Sequence, residues 1–145
     1  MDDTERLVAV EDIRRLKAAY FRCMDTKDWD GFRDVFAADA EMDMRGEAGE
    51  AGLVHGNQAI ADFVHGAVGD VVTVHHGHMS EIELTSPTTA SGIWAMEDKL
   101  RWPSGGSLGE MHGYGHYHET YAKVDGHWRI RTLTLTRLRV DFSQA

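Results

Sequence analysis

From residue 71 to residue 140 the sequence alternates apolar and polar side chains, and that period leaves one reading for half the chain: long strands of a single sheet. Four strands are expected, over 71–84, 89–103, 109–124 and 128–140. The breaks between them are SPTT, SGGS and Asp125–Gly126. Asp–Gly between alternating runs marks a tight hairpin, because both residues tolerate the left-handed backbone that matches strand twist.

The first third has a different period. Val10, Ile13, Leu16, Tyr20 and Met24 recur at helical spacing and predict an amphipathic helix ending near residues 25–27. Asp28 is placed to cap a short second helix reaching Phe36, with Trp29, Phe32 and Phe36 on its buried side. The EMDM segment at 41–44 reads as a short strand. After a loop containing Gly46, Gly49 and Gly52, Asn57 is placed to cap a third helix over 58–68. Helices first and a strand meander after them give an α+β fold. The expected form is a cone: a curved antiparallel sheet packed on N-terminal helices and enclosing a deep pocket. With 145 residues, no repeat and no linker, 1–145 reads as one domain.

Composition narrows the function. Fifteen Lys and Arg against 24 Asp and Glu leave a net charge of −9, which argues against a nucleic-acid partner. The single cysteine, Cys23, excludes an internal disulfide and falls near the apolar stripe as a core residue. No apolar run approaches the ~20 residues of a membrane span. The opening MDDTERL is acidic where a secretion signal would be basic. A cytoplasmic protein with no membrane partner is expected.

Alternation also sorts the reactive side chains. Trp94, Met96, Asp98, Leu100 and Trp102 share one strand face, with Glu97, Lys99 and Arg101 on the other. A carboxylate among large apolar groups is costly unless something pairs with it. Asp98 is therefore a site residue, a member of a structural ion pair, or a residue returned to solvent by a bulge. His75 faces opposite to His76 and His78, which read as half-buried strand histidines. A histidine beside a carboxylate can serve as a general base, with its tautomer fixed by the acid at its second nitrogen. His112, His116 and His118 share one face of the following strand. His116-x-His118 is a metal-like spacing, but two ligands are too few and no metal is expected. Tyr20 lies on the apolar stripe, its hydroxyl either bonded within the core or offered to a substrate oxygen. Arg137 shares parity with Leu133 and Leu135, but also with Arg129, Arg131 and Arg139.

The segment IRRLKAAYFRCMDTKDWDGFRDVFAADAEM, the histidine strand after it and the closing Y…DG.W.I resemble the SnoaL-like branch of the nuclear transport factor superfamily. The resemblance spans nearly the whole chain and implies the same cone of helices and sheet. Within that branch, the bacterial bile-acid 7α-dehydratases are similar in an LKAxYFRCxD helix, an H-x-G-H strand, a W…ED.L strand and a terminal W…R strand. Scytalone dehydratases are more distantly similar around MDTKDWD and DGHW, but their water-handling tyrosines fall at Met24 and Met44. The catalytic Asp of the ketosteroid isomerases falls near Met44 as well. The resemblance implies a functional set of Tyr20, Asp25, His75, Asp98 and Arg137, and no cofactor.

The expected function is a cofactor-free dehydratase that eliminates water from a hydroxylated steroid, a bile-acid-like molecule or another polycyclic ketone. His75 acts as base or acid, oriented by Asp98. Tyr20 donates to substrate, Asp25 orients Tyr20 or a pocket histidine, and Arg137 balances the buried carboxylates or holds a polar substrate end. Met24, Met44, Trp94, Met96 and His116 are expected to line the pocket. The alternative is a non-catalytic ligand carrier or partner subunit of the same fold, which needs an apolar lining but no converging His–Asp pair. A homo-oligomer, trimer or dimer, is expected on a separate ground. Ile93 and Ala95 oppose Trp94 and Met96 in parity, and Trp128 and Ile130 oppose Leu133 and Leu135, which makes the sheet apolar on both faces.

Overall fold

The computed structural model describes residues 1–144. The first helix, α1, spans Asp3–Asp25. A reciprocal cap starts it: the Asp2 carboxylate accepts from the Glu5 backbone N–H, and the Glu5 carboxylate accepts from that of Asp2. Its buried stripe holds Ile13, Leu16, Tyr20 and Met24 as the spacing predicts, and also Lys17. Lys27 turns the chain out of the helix with a left-handed backbone, φ 63°. The second helix, α2, spans Trp29–Asp34, with the Asp28 carboxylate accepting from the Gly31 N–H at 3.0 Å. It stops short of Phe36, which instead opens strand β1, Phe36–Asp43. The glycine loop is partly ordered as a one-turn helix α3, Arg45–Ala48, a 3-10 turn and a short strand β2, Leu53–His55. Helix α4 spans Asn57–Val68, and Gly56 rather than Asn57 occupies the cap, with no side-chain cap bond.

The period-two half forms β3 (Val72–Ser86), β4 (Thr89–Arg101), β5 (Leu108–Val124) and β6 (His127–Gln144). Positive φ at Asp125 and Gly126 makes the β5–β6 turn as the dipeptide predicts. One six-stranded sheet results, in the order β2-β1-β6-β5-β4-β3. Its pairs are antiparallel except β1 with β6, which run parallel. That parallel pair was not foreseen, because alternation fixes the face of a side chain but says nothing about which strand lies beside it.

Two bulges in β6 change which residues face inward. Tyr121 pairs with Ile130 and Thr120 with Thr132, so Arg131 is the extra residue. Gly115 pairs with Arg137 and Tyr114 with Arg139, so Leu138 is the extra residue of the second bulge. Across the first bulge, Trp128 and Ile130 join Leu133 and Leu135 on the inner face, and all four are buried. The expectation that these pairs oppose one another across the sheet is therefore wrong for β6. The outer face opposite them carries Thr132, Thr134 and Thr136, so β6 supplies no support for a covered outer surface. Across the second bulge, Arg137 faces inward while Leu138 is exposed, which separates Arg137 from Arg129, Arg131 and Arg139.

The core lies between the inner sheet face and helices α1, α2 and α4. Ile13, Phe32, Phe36, Met42, Ile60, Ile130 and Leu133 are among its most deeply buried members. Cys23 is buried there as expected. Among the described residues, no helix is long and apolar enough to cross a membrane.

Candidate active site

The last turn of α1 and the inner faces of β3 to β6 converge on one cavity of about 400 Å3, a volume in the small-molecule range. His75, Asp98 and Arg137 line it, with Tyr20, Met24 and Met44. Asp25 stands behind His75. A separate cleft of about 500 Å3 lies beside Lys99, Glu110 and Asp141 and holds none of the five expected functional residues.

Asp25 is the last residue of α1, and its side chain reaches the start of β3. Its Oδ1 accepts from the Thr73 hydroxyl at 2.8 Å and from His75 Nδ1 at 2.7 Å. Its Oδ2 accepts from the His75 backbone N–H at 2.8 Å. Thr73 and His75 are two apart on one strand, so period two brings both to the same carboxylate. Lys27 buttresses the arrangement by donating to the Thr73 hydroxyl and the Val68 carbonyl. A carboxylate accepts, so the His75 nitrogen facing Asp25 is its donor, and Nε2 is the nitrogen turned toward the cavity and Asp98. Phe21 stacks on the imidazole and fixes its plane.

Asp98 is the cross-strand partner of His75, and the two face the same cavity as alternation predicts. It does not orient the histidine. Its oxygens accept from Arg137 Nη1 and Nη2 at 2.7 and 3.0 Å, a bidentate pair, and its Oδ2 lies 3.7 Å from His75 Nε2. The orienting carboxylate is Asp25, and sequence alone cannot rank two acids whose separation in space it does not show. Arg137 Nε donates to Glu47 of α3. Burial alone would lower the pKa of Arg137, but the bonds and charges of Asp98 and Glu47 more than reverse this and hold it charged.

Gly113 makes the Asp98–Arg137 pair possible. It lies opposite Asp98 on β5, between that residue and β6. A Cβ there would fall 2.6 Å from Asp98 Oδ1 and still closer to Arg137 Nη1. Gly113→Ala is expected to separate the pair and lower the melting temperature by several degrees, the shift that ~1–2 kcal/mol produces in a domain of this size. A thermal melt checks this, and an unchanged midpoint contradicts it.

Three expected lining residues lie elsewhere. Met96 faces inward but beneath the site, with its sulfur 3.8 Å from Arg137 Nη1. Trp94 faces inward further along β4, and its indole N–H donates to Tyr121 at 2.9 Å. His116 pairs with Ala95 on the outer sheet face, as do His112 and His118 with their own neighbours. The outer face joins His78 and His112 through the Glu97 carboxylate.

Three residues of the site region are additions. Tyr117 lines the cavity edge to face with Tyr20, ring centroids 5.6 Å apart. Burial raises the pKa of both hydroxyls well above that of a free phenol, with the charges of Asp98 and Glu119 acting in the same direction. Behind both rings, Lys17 and Glu119 form an ion pair at 2.8 Å with no exposed side-chain surface. The signals were present: Lys17 falls four residues after Ile13 and three before Tyr20, and Glu119 shares strand parity with Tyr117 and Tyr121.

Burial lowers the Lys17 ammonium to about 8, against the opposing pull of Glu119. The unfolded chain keeps this proton to about 10.5, so it binds more protons than the folded chain between those two values. The contribution of Lys17 to stability is therefore flat below about pH 8 and rises with pH up to about 10.5. Urea midpoints across that window should climb relative to those of a Lys17→Met/Glu119→Gln chain. Parallel midpoints in the two chains contradict it.

The chain is 27% identical over 135 residues to probable cyclase FGR4 of Gibberella zeae, covering 87% of this chain and 89% of that protein. A candidate scytalone dehydratase from Novosphingobium aromaticivorans DSM 12444 superposes with a TM-score of 0.86 at 21% identity, covering 99% of this chain and 93% of the other. Hexachlorocyclohexane dehydrochlorinase LinA-type3 from Novosphingobium barchaimii LL02 superposes at 0.83 with 20% identity, covering 99% and 94%. At these identities the two structures establish a shared fold. The SnoaL-like domain family matches residues 5–134, from the first helix through β6 short of Arg137, and the chain belongs to that family.

Proposed function

We propose that the chain is a hydro-lyase that removes water from a hydroxylated polycyclic ketone of steroid or bile-acid type, with His75 as the proton-transfer group. The observation that carries this is the His75 geometry. Its Nδ1 is pinned by Asp25, and its Nε2 is open to an apolar cavity with the Arg137-paired Asp98 carboxylate 3.7 Å away. A ligand carrier has no use for such a base, which favours an enzyme. Its relatives include a candidate dehydratase, a dehydrochlorinase and a probable cyclase, all consistent with proton-transfer chemistry in this fold.

In a 3-oxo-4-ene steroid the proton on carbon 6 is acidified through the conjugated carbonyl. His75 Nε2 takes that proton, and the electron pair moves through the enone to leave negative charge on the carbonyl oxygen. The imidazolium formed is stabilised by Asp25 on one side and Asp98 on the other. Collapse of the dienolate expels the hydroxyl on carbon 7, which takes the proton carried on His75 Nε2 and leaves as water, returning the imidazole to its neutral form. Tyr20 or Tyr117 donates a hydrogen bond to the oxygen that becomes negative. Arg137 pairs with Asp98 in the apolar wall, so the carboxylate lies beside the base at lower desolvation cost than a lone acid.

The test is incubation with a panel of 7-hydroxy-3-oxo-4-ene steroids, followed by ultraviolet absorbance and mass. The expected result is a conjugated dienone lighter by one water. Ligands that bind unchanged across the panel would overturn the reading in favour of a carrier. On a substrate found this way, Tyr20→Phe should cost about 10²-fold in rate if its hydroxyl serves the developing oxyanion. If that hydroxyl only serves the core, about 1 kcal/mol of stability is lost and turnover stays unchanged.

A further inference from the structure

Lys17 is held in an unusual place. Its Nζ lies 3.6 Å from the Tyr20 ring centroid and 3.5 Å from that of Tyr117, between the faces of the two phenols that line the cavity. Glu119 fixes it there at 2.8 Å. The Glu119 carboxylate is itself held by the Tyr121 hydroxyl at 2.7 Å, and Tyr121 by the Trp94 indole N–H at 2.9 Å. The chain Trp94–Tyr121–Glu119–Lys17 therefore runs from the far part of the core to the back of the two phenols. An ion pair buried this completely costs more desolvation than a pair of apolar residues in the same space. No part of it reaches the cavity, so it does not contact substrate.

We propose that Lys17 and Glu119 are positioning residues that set the hydrogen-bond donation of Tyr20 and Tyr117 to an oxyanion in the cavity. A cation on the face of a phenol draws density from the ring and makes its O–H a stronger donor. Seated between two rings at nearly equal distances, one cation acts on both and also fixes the edge-to-face angle that aims their hydroxyls. Glu119, 2.8 Å from the ammonium, supplies its counter-charge in a dry interior. The inference rests on the proposed elimination only in assigning an oxyanion to the cavity.

The test needs no turnover, so the failure of one proposal is separable from that of the other. The full chain is titrated between pH 5 and 7, below the titration of Lys17, with 4-nitro-1-naphthol, whose neutral and anionic forms absorb at different wavelengths. The comparison is with Lys17→Met/Glu119→Gln, which removes both charges while keeping side-chain length and an acceptor for Tyr121. The double variant is expected to melt close to the native chain, because replacing both members of a buried pair is often neutral. Its affinity for the naphtholate should fall about tenfold, less than the loss of a whole oxyanion donor. Binding of neutral naphthol should change little. Glu119→Gln alone should weaken the anion in the same way, since Lys17 then has no counter-charge and sheds its proton, and it serves if the double variant does not fold. Equal loss for both forms of the probe, or no naphtholate binding to the native chain, overturns the proposal. So does a folded variant that binds the anion as the native chain does.

Discussion

Replacing His75 by Gln is expected to lower turnover by about 10²–10⁴-fold, the range for losing a general acid or base. Gln retains a donor for Asp25 and fills much of the imidazole's volume, so the melting temperature should move little. His75→Ala should cost at least as much in rate and more in stability. It empties space against Phe21 and leaves Asp25 with the Thr73 hydroxyl and one backbone N–H. The measurement is turnover and melting temperature on one preparation of each variant. A folded His75→Gln chain with native turnover would remove His75 from the proton transfer. Asp25→Asn is expected to follow the same pattern more weakly, because an amide can pin the ring but cannot stabilise its charged form.

The second large effect concerns the Asp98–Arg137 pair. Arg137→Leu leaves the Asp98 carboxylate buried without its bidentate partner, and about 3–5 kcal/mol of stability should be lost. Asp98→Leu should be similarly damaging, because it strands a guanidinium that retains only Glu47. The double variant Asp98→Leu/Arg137→Leu removes both charges and should recover most of that loss, while turnover stays low. Chemical denaturation of the three variants checks this. If the single losses simply add in the double variant, the pair is not coupled and Asp98 is held by something other than Arg137.

Much of this molecule was legible in the sequence because its two halves obey two clean periods. The four long strands, the first helix and the Asp28 cap follow from spacing and from single residues whose chemistry is local. Asp98 was legible for the same reason: a carboxylate in the apolar register of a strand must face the interior unless a bulge intervenes, and β4 has no bulge at that point. Tyr20 shares the helical stripe of Met24, so both reach the cavity together. The same reasoning failed on β6. Parity there is reset at Arg131 and again at Leu138, and a bulge adds one residue without leaving a mark in the alternation.

Only the tertiary structure decided the partnerships. Alternation gives the face of a side chain, but a hydrogen bond also needs the distance between elements remote in sequence. His75 could pair with either carboxylate until α1 was seen to end with Asp25 against Thr73 and His75. Arg137 reaches Asp98 because a glycine separates them on β5, and Glu47 completes that contact from a loop. Lys17 and Glu119 lay on the buried faces that their spacing implied, yet each alone would be an error of patterning. Packing α1 against β5 turns them into one neutral pair, since a buried charge is tolerable only where the fold brings its opposite.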